Sequence, residues 1–133
     1  MQSPMRAIPA AALLALAACG REEAPAPLTI EERGMAEFRA CAVCHARTDP
    51  SDPATPRLIG PSLFGIVGAP SARLADYSYS SALRRANVVW DEPTLDAFIA
   101  EPASVVPGSR MSYAGEPDPA KRAAIIAYLK TLK

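Results

Sequence analysis

From residue 29 onward the apolar positions fall into short helical stripes separated by breakers. Thr29-Ile30-Glu31-Glu32 places a hydroxyl at an N-cap with Glu three residues on, the pattern of a capping box. It predicts a helix over about residues 30–42, with Ile30, Gly34 and Phe38 on one face. A short helix is predicted over Ser80–Ala86. Asp91 followed by Pro93 predicts the start of another, with Leu95, Phe98 and Ile99 turned inward, ending before Pro102. Asp118-Pro119 repeats the cap-then-proline signal and opens a last helix carrying Ile125, Tyr128, Leu129 and Leu132 at helical spacing. Between Arg47 and Arg73 stand five prolines and three glycines, which no regular element survives, so a long loop is predicted there. Val88-Val89-Trp90 is too short a run to argue for a sheet. The pattern is that of an all-α chain with much irregular backbone.

The first eighteen residues follow a different logic. MQSPMRAIPAAALLALAA carries one charge, Arg6, before an Ala/Leu run too short to span a bilayer, the order of a secretory signal peptide. Leu16-Ala17-Ala18-Cys19 resembles the lipobox of bacterial lipoproteins, in which the cysteine becomes the lipidated first residue. Residues 1–18 are therefore expected to be a signal peptide, 19–28 a lipidated Cys19 and linker, and 29–133 the folded domain. The linker is rich in Pro and Ala and reads as extended chain.

Composition narrows the chemistry. The 133 residues carry 14 Lys+Arg against 14 Asp+Glu, which excludes the strongly basic face of a general nucleic-acid binder. Loss of the signal segment removes one base and no acid. Three cysteines are too few for a disulfide scaffold, and there is one histidine.

That histidine closes the pentapeptide Cys41-Ala42-Val43-Cys44-His45. Three readings compete for it. A redox CxxC is normally found after a strand in a βαβ unit, and no strand precedes this one. A structural zinc needs four ligands, and two Cys and one His leave the fourth to a carboxylate. Covalent haem attachment uses both thiols, one for each vinyl group, and places the next residue, His45, beneath the iron. A sixth ligand is then sought. Met1 and Met5 belong to the signal segment, and Met35 precedes Cys41 on the same helix. Met111 remains, in the loop Val106-Pro107-Gly108-Ser109-Arg110-Met111.

From Gly34 to Leu132 the chain resembles the class I cytochromes c, in particular the cytochrome c and c2 group. The resemblance is carried by Gly34…Phe38 before CAVCH, by Gly60-Pro61-Ser62-Leu63, Tyr79 and Trp90, and by VPGSRMSYAG and Ile126-Ala127-Tyr128-Leu129. It implies the small cytochrome c fold, wrapped around one covalent haem c. It further implies thioethers at Cys41 and Cys44, axial ligands His45 and Met111, and a bond from His45 to the Pro61 carbonyl. Tyr79 and Trp90 would serve a haem propionate, Ser109 would lie at the pocket edge, and Gly34 and Phe38 would cross Tyr128. The chain also departs from the family. The loop after His45 is longer, Ala69 and Leu83 stand where an Arg and an Asn are common, and Phe98 replaces a Tyr near the Met sulfur. The Lys-rich face gives way to Arg47, Arg57, Arg73, Arg84, Arg85 and Arg110.

The expected function is that of a membrane-anchored one-electron carrier, a monomer and not an enzyme. It would face the periplasm and serve membrane redox complexes such as a bc1-type reductase, a terminal oxidase or a photosynthetic reaction centre. Two alternatives remain open from the sequence. One is an electron-entry subunit fixed to a single dehydrogenase or oxidase. The other is a haem ligand binder or weak peroxidase with a labile Met111.

Overall fold

Six short helices and the loops between them make up the computed structural model, which describes residues 26–133. The expected signal segment, the motif ending at Cys19 and the linker as far as residue 25 lie outside the described residues. In chain order the helices are α1 (Ile30–Glu37), α2 (Arg39–Ala42), α3 (Ser81–Ala86), α4 (Glu92–Ala100), α5 (Pro102–Val105) and α6 (Pro119–Leu129). Among the described residues there is no strand, only an isolated bridge between Pro70 and Val89. The all-α expectation is met.

The caps act as the sequence predicts. Thr29 accepts the Glu32 N–H at 3.2 Å while the Glu32 carboxylate accepts the Thr29 N–H at 2.8 Å, so both halves of the capping box form. Asp91 and Asp118 cap α4 and α6 through their side chains, and Ser80, expected as a helical residue, is instead the side-chain cap of α3. Three other boundaries differ from expectation. The predicted 30–42 helix divides at Phe38, where the backbone tightens to ψ −14° and one carbonyl takes the N–H groups of both Cys41 and Ala42. α5 begins directly on Pro102, because a first-turn position needs no N–H and already suits the fixed φ of proline. Leu132 falls past the end of α6, in the terminal turn, and its carbonyl accepts the Gly65 N–H at 2.6 Å.

The core forms where α1 crosses α6. Phe38, 1% exposed, meets the Tyr128 ring at 5.1 Å between centroids. Gly34 makes the crossing possible: a Cβ there would sit 1.9 Å from the Ala124 carbonyl oxygen. Only hydrogen fits. α4 packs on α6 through Leu95 and Ile99, and Trp90 leans on Phe98 at 4.8 Å. Residues 43–80 hold no helix, so this long loop is shaped by turns and by its contacts to the helical frame. No helix of the described residues is long and apolar enough to cross a membrane.

Candidate functional site

The CAVCH segment is wound by the end of α2. Cys44 N–H donates to the Cys41 carbonyl at 3.0 Å and His45 N–H donates to the same carbonyl at 2.9 Å. That single turn brings two thiols and an imidazole together. Both cysteines are free. Burial pushes the Cys41 thiol above its ordinary pKa, which keeps it protonated at neutral pH. No group of three or more His, Cys, Asp or Glu suited to a metal ion occurs among the described residues, which disfavours the zinc reading.

The long loop returns to clamp the histidine. Gly60 N–H donates to the Cys44 carbonyl at 2.8 Å, and Leu63 N–H to the Ala46 carbonyl at 2.9 Å. Between them the Pro61 carbonyl lies 2.8 Å from His45 Nδ1. A carbonyl only accepts, so Nδ1 must carry the hydrogen, and Nε2 is left with a free lone pair. Burial depresses the His45 pKa, the Pro61 bond opposing it in part, and the ring is held neutral. A neutral imidazole with its second nitrogen bare is the form that binds a metal.

The other predicted residues occupy distinct surroundings. Tyr79 is buried, its oxygen accepting the Leu74 N–H at 3.4 Å, and desolvation raises its pKa. Trp90 is buried, and its backbone is laced to the loop by Trp90 N–H to the Ala69 carbonyl and Gly68 N–H to the Trp90 carbonyl, both 2.8 Å. The Ser109 hydroxyl accepts the Met111 N–H at 3.2 Å and so braces the loop that carries Met111, which is half-buried. Direct bonds in the structure thus join Cys41, Cys44, His45 and Pro61 into one unit, and Ser109 and Met111 into a second.

Sequence reasoning missed two supports. Ser62 is a buried hydroxyl that donates to the Thr48 carbonyl at 2.6 Å and accepts the Phe64 N–H at 3.2 Å, closing the longer loop. Arg73 reaches back to the Ser62 and Phe64 carbonyls. A lone Arg in a proline-rich run carries no periodic signal that would mark it as inward-facing.

No protein-family model matches the chain. Cytochrome c2 of Rhodopila globiformis is 44% identical over 93 residues, 70% of this chain and 83% of that protein. The chain belongs to the class I cytochromes c. Cytochrome c2 iso-2 of Magnetospirillum fulvum is 41% identical over 71% of this chain and 94% of that protein. Among solved structures, cytochrome cH from Methylobacterium extorquens superposes with a TM-score of 0.65 at 38% identity, covering 74% of this chain and 95% of that one.

The cofactor of this cytochrome is one covalently bound haem c, and its activity is electron carriage. The residues present suit that group. The site offers paired thiols, an imidazole locked in the metal-binding tautomer, and a glycine at position 60 whose Cβ would lie 2.6 Å from His45 Cε1. Any side chain there would crowd the ring.

Proposed function

We propose that this cytochrome is a periplasmic one-electron carrier held to a membrane through Cys19, exchanging electrons between membrane redox complexes. Cys41 and Cys44 would hold the haem through thioethers, and His45 Nε2 and the Met111 sulfur would fill the two axial positions. When bound, the haem supplies reversible one-electron chemistry at iron. The chain's own contribution is to fix the ligands: the Pro61 carbonyl orients His45 and raises its basicity, and Ser109 holds the Met111 loop. His/Met ligation moves the potential upward, toward late members of an electron-transfer chain. With His45 and Met111 both holding the iron, little rearrangement would accompany each transfer and no open position would be left for the ligand binding or peroxidase chemistry of the alternative readings.

The observation that carries this reading is the 2.8 Å contact between His45 Nδ1 and the Pro61 carbonyl, one residue from Cys44. Nine linker residues at ~3.1 Å each reach roughly 28 Å, so an anchored domain would stay beside its bilayer, where its effective concentration at membrane partners is high. Acid–acetone extraction followed by potentiometry tests the core of the proposal. The polypeptide should stay coloured, and the protein should titrate as a single one-electron couple. A colourless polypeptide overturns it.

A further inference from the structure

Arg73 sits in an unusual position for a cation. Ala72, directly before it, adopts φ 54°, a left-handed conformation that side-chain-bearing residues avoid. On the N-terminal side the chain is pinned by Ser71 N–H to the Val88 carbonyl at 2.8 Å and by the bridge of Pro70 to Val89. The kink at Ala72 therefore lies between a fixed segment and a side chain that runs back across the loop. Arg73 Nη2 donates to the carbonyls of Ser62 and Phe64, one and three residues past Pro61. Its Nε–H is buried and is the buried side-chain polar group left without a partner among the described residues.

No carboxylate among the described residues pairs with it. Asp76 is taken by Arg57 at 3.5 Å, and Asp49, fully exposed, feels the Arg73 charge without contacting it, its Oδ1 already accepting from the Ser51 N–H and hydroxyl. The other arginines of this face differ: Arg84 and Arg110 are exposed, and each donates to a backbone carbonyl, of Tyr79 and Ser78 respectively. A guanidinium whose Nε–H is shut away from water and unbonded is costly. With Nη2 spent on the two carbonyls, the Nε–H is left to make one charge-assisted bond, for which a carboxylate is the strongest acceptor. Arg73 also lies near enough to the buried Tyr79 hydroxyl for its charge to act on it.

We propose that Arg73 is the buried counter-charge for a carboxylate of the haem, supplying from position 73 the positive charge that Ala69 cannot. The inference rests on the haem-binding reading above. It makes Arg73 a positioning and potential-setting residue: it holds one edge of the cofactor, ties that edge to the loop carrying Pro61, and favours the reduced iron by its charge. A purely structural Arg73, tying Ser62 and Phe64 and nothing else, is the reading to be distinguished.

Two variants of the full haem-loaded protein separate them. Arg73→Gln retains amide donors for the loop carbonyls but no charge, and Arg73→Lys retains the charge without the fork. The midpoint potential should fall in Arg73→Gln and stay close to wild type in Arg73→Lys. Equal potentials in wild type and Arg73→Gln overturn the proposal and leave Arg73 as a loop tie. Should the variants not fold, nitrogen-15 NMR of the wild-type holoprotein decides. The Arg73 Nε–H should exchange with water far more slowly than those of exposed Arg84 and Arg85, and its signal should move between oxidation states. Rapid exchange, or a signal that ignores the iron, overturns it. Release of haem from the wild type in acid–acetone defeats both readings, whereas an unmoved potential with haem retained defeats only this one.

Discussion

Gly60 lies against the edge of the His45 ring so closely that a Cβ built on it would fall 2.6 Å from Cε1 and 2.7 Å from Nδ1. The same Cβ would be 2.8 Å from the Cys44 carbonyl oxygen, which already accepts the Gly60 N–H. Gly60→Ala must therefore displace either the imidazole or the loop. Because the Pro61 carbonyl is the partner of Nδ1, the displacement lengthens that bond and weakens the basicity it gives the ring. The variant is expected to keep its thioether-bound haem, with a shifted potential and an altered ferric spectrum. Potentiometry and absorption spectroscopy check this, and an unchanged potential would show that the loop yields instead of the ring.

Met111 stands in a loop whose hydrogen bond to Ser109 fixes where the chain turns. Met111→Ala should abolish the long-wavelength sulfur-to-iron band of the ferric protein and lower the potential, since a thioether favours ferrous iron. Ser109→Ala should weaken the band on warming and leave it intact when cold, because it removes the brace and keeps the ligand. A band that survives in Met111→Ala sinks the ligand assignment.

The helix crossing tolerates no side chain at position 34. Gly34→Ala drives a methyl into the Ala124 carbonyl and the Tyr128 Cβ, 1.9 and 2.8 Å away. Overpacking of this kind costs about 1–3 kcal/mol. Phe38→Ala instead leaves a hole beside Tyr128 and costs about 3–5 kcal/mol. Chemical denaturation of the holoprotein measures both.

Acid should loosen the start of α4. Hydrogen bonds from Thr94, its side chain and its N–H, hold the Asp91 carboxyl below the ordinary 3.8. A group lowered in the folded state adds stability that is complete above its unfolded value and is lost as pH falls through its folded one. Asp91→Ala should therefore be less stable than wild type at neutral pH, with the gap closing below about pH 4. A gap that stays constant down to pH 2 would mean that the charge plays no part in the cap.

Anchoring through Cys19 predicts a change of compartment without a change of fold. Cys19→Ser should move a folded, red protein from the membrane fraction to the soluble one. One acyl chain binds only reversibly and two or more hold firmly, so detergent should be needed to release the wild type. Mass spectrometry that finds an unmodified Cys19 thiol refutes the anchor.

Much of this protein is set by its sequence alone. Caps at Thr29, Ser80, Asp91 and Asp118 fixed four helix starts, because a side-chain oxygen meeting the N–H groups of a first turn is a local event. The CAVCH spacing is likewise local, since one helical turn suffices to gather two thiols and an imidazole. What the sequence could not decide were relations across the chain. The first helix breaks at Phe38, where no local breaker stands, and that ring is buried against Tyr128, ninety residues of chain away. The short α5 rests on Pro102, which in one dimension reads as a stop and in the fold serves as a first turn. The tautomer of His45 was set by a carbonyl sixteen residues on, and the inward course of Arg73 by a kink at Ala72 that no residue pattern announces. Local rules govern how a helix begins. Which charge is shut away from water depends on where distant backbone happens to pass, and only the tertiary structure supplies that.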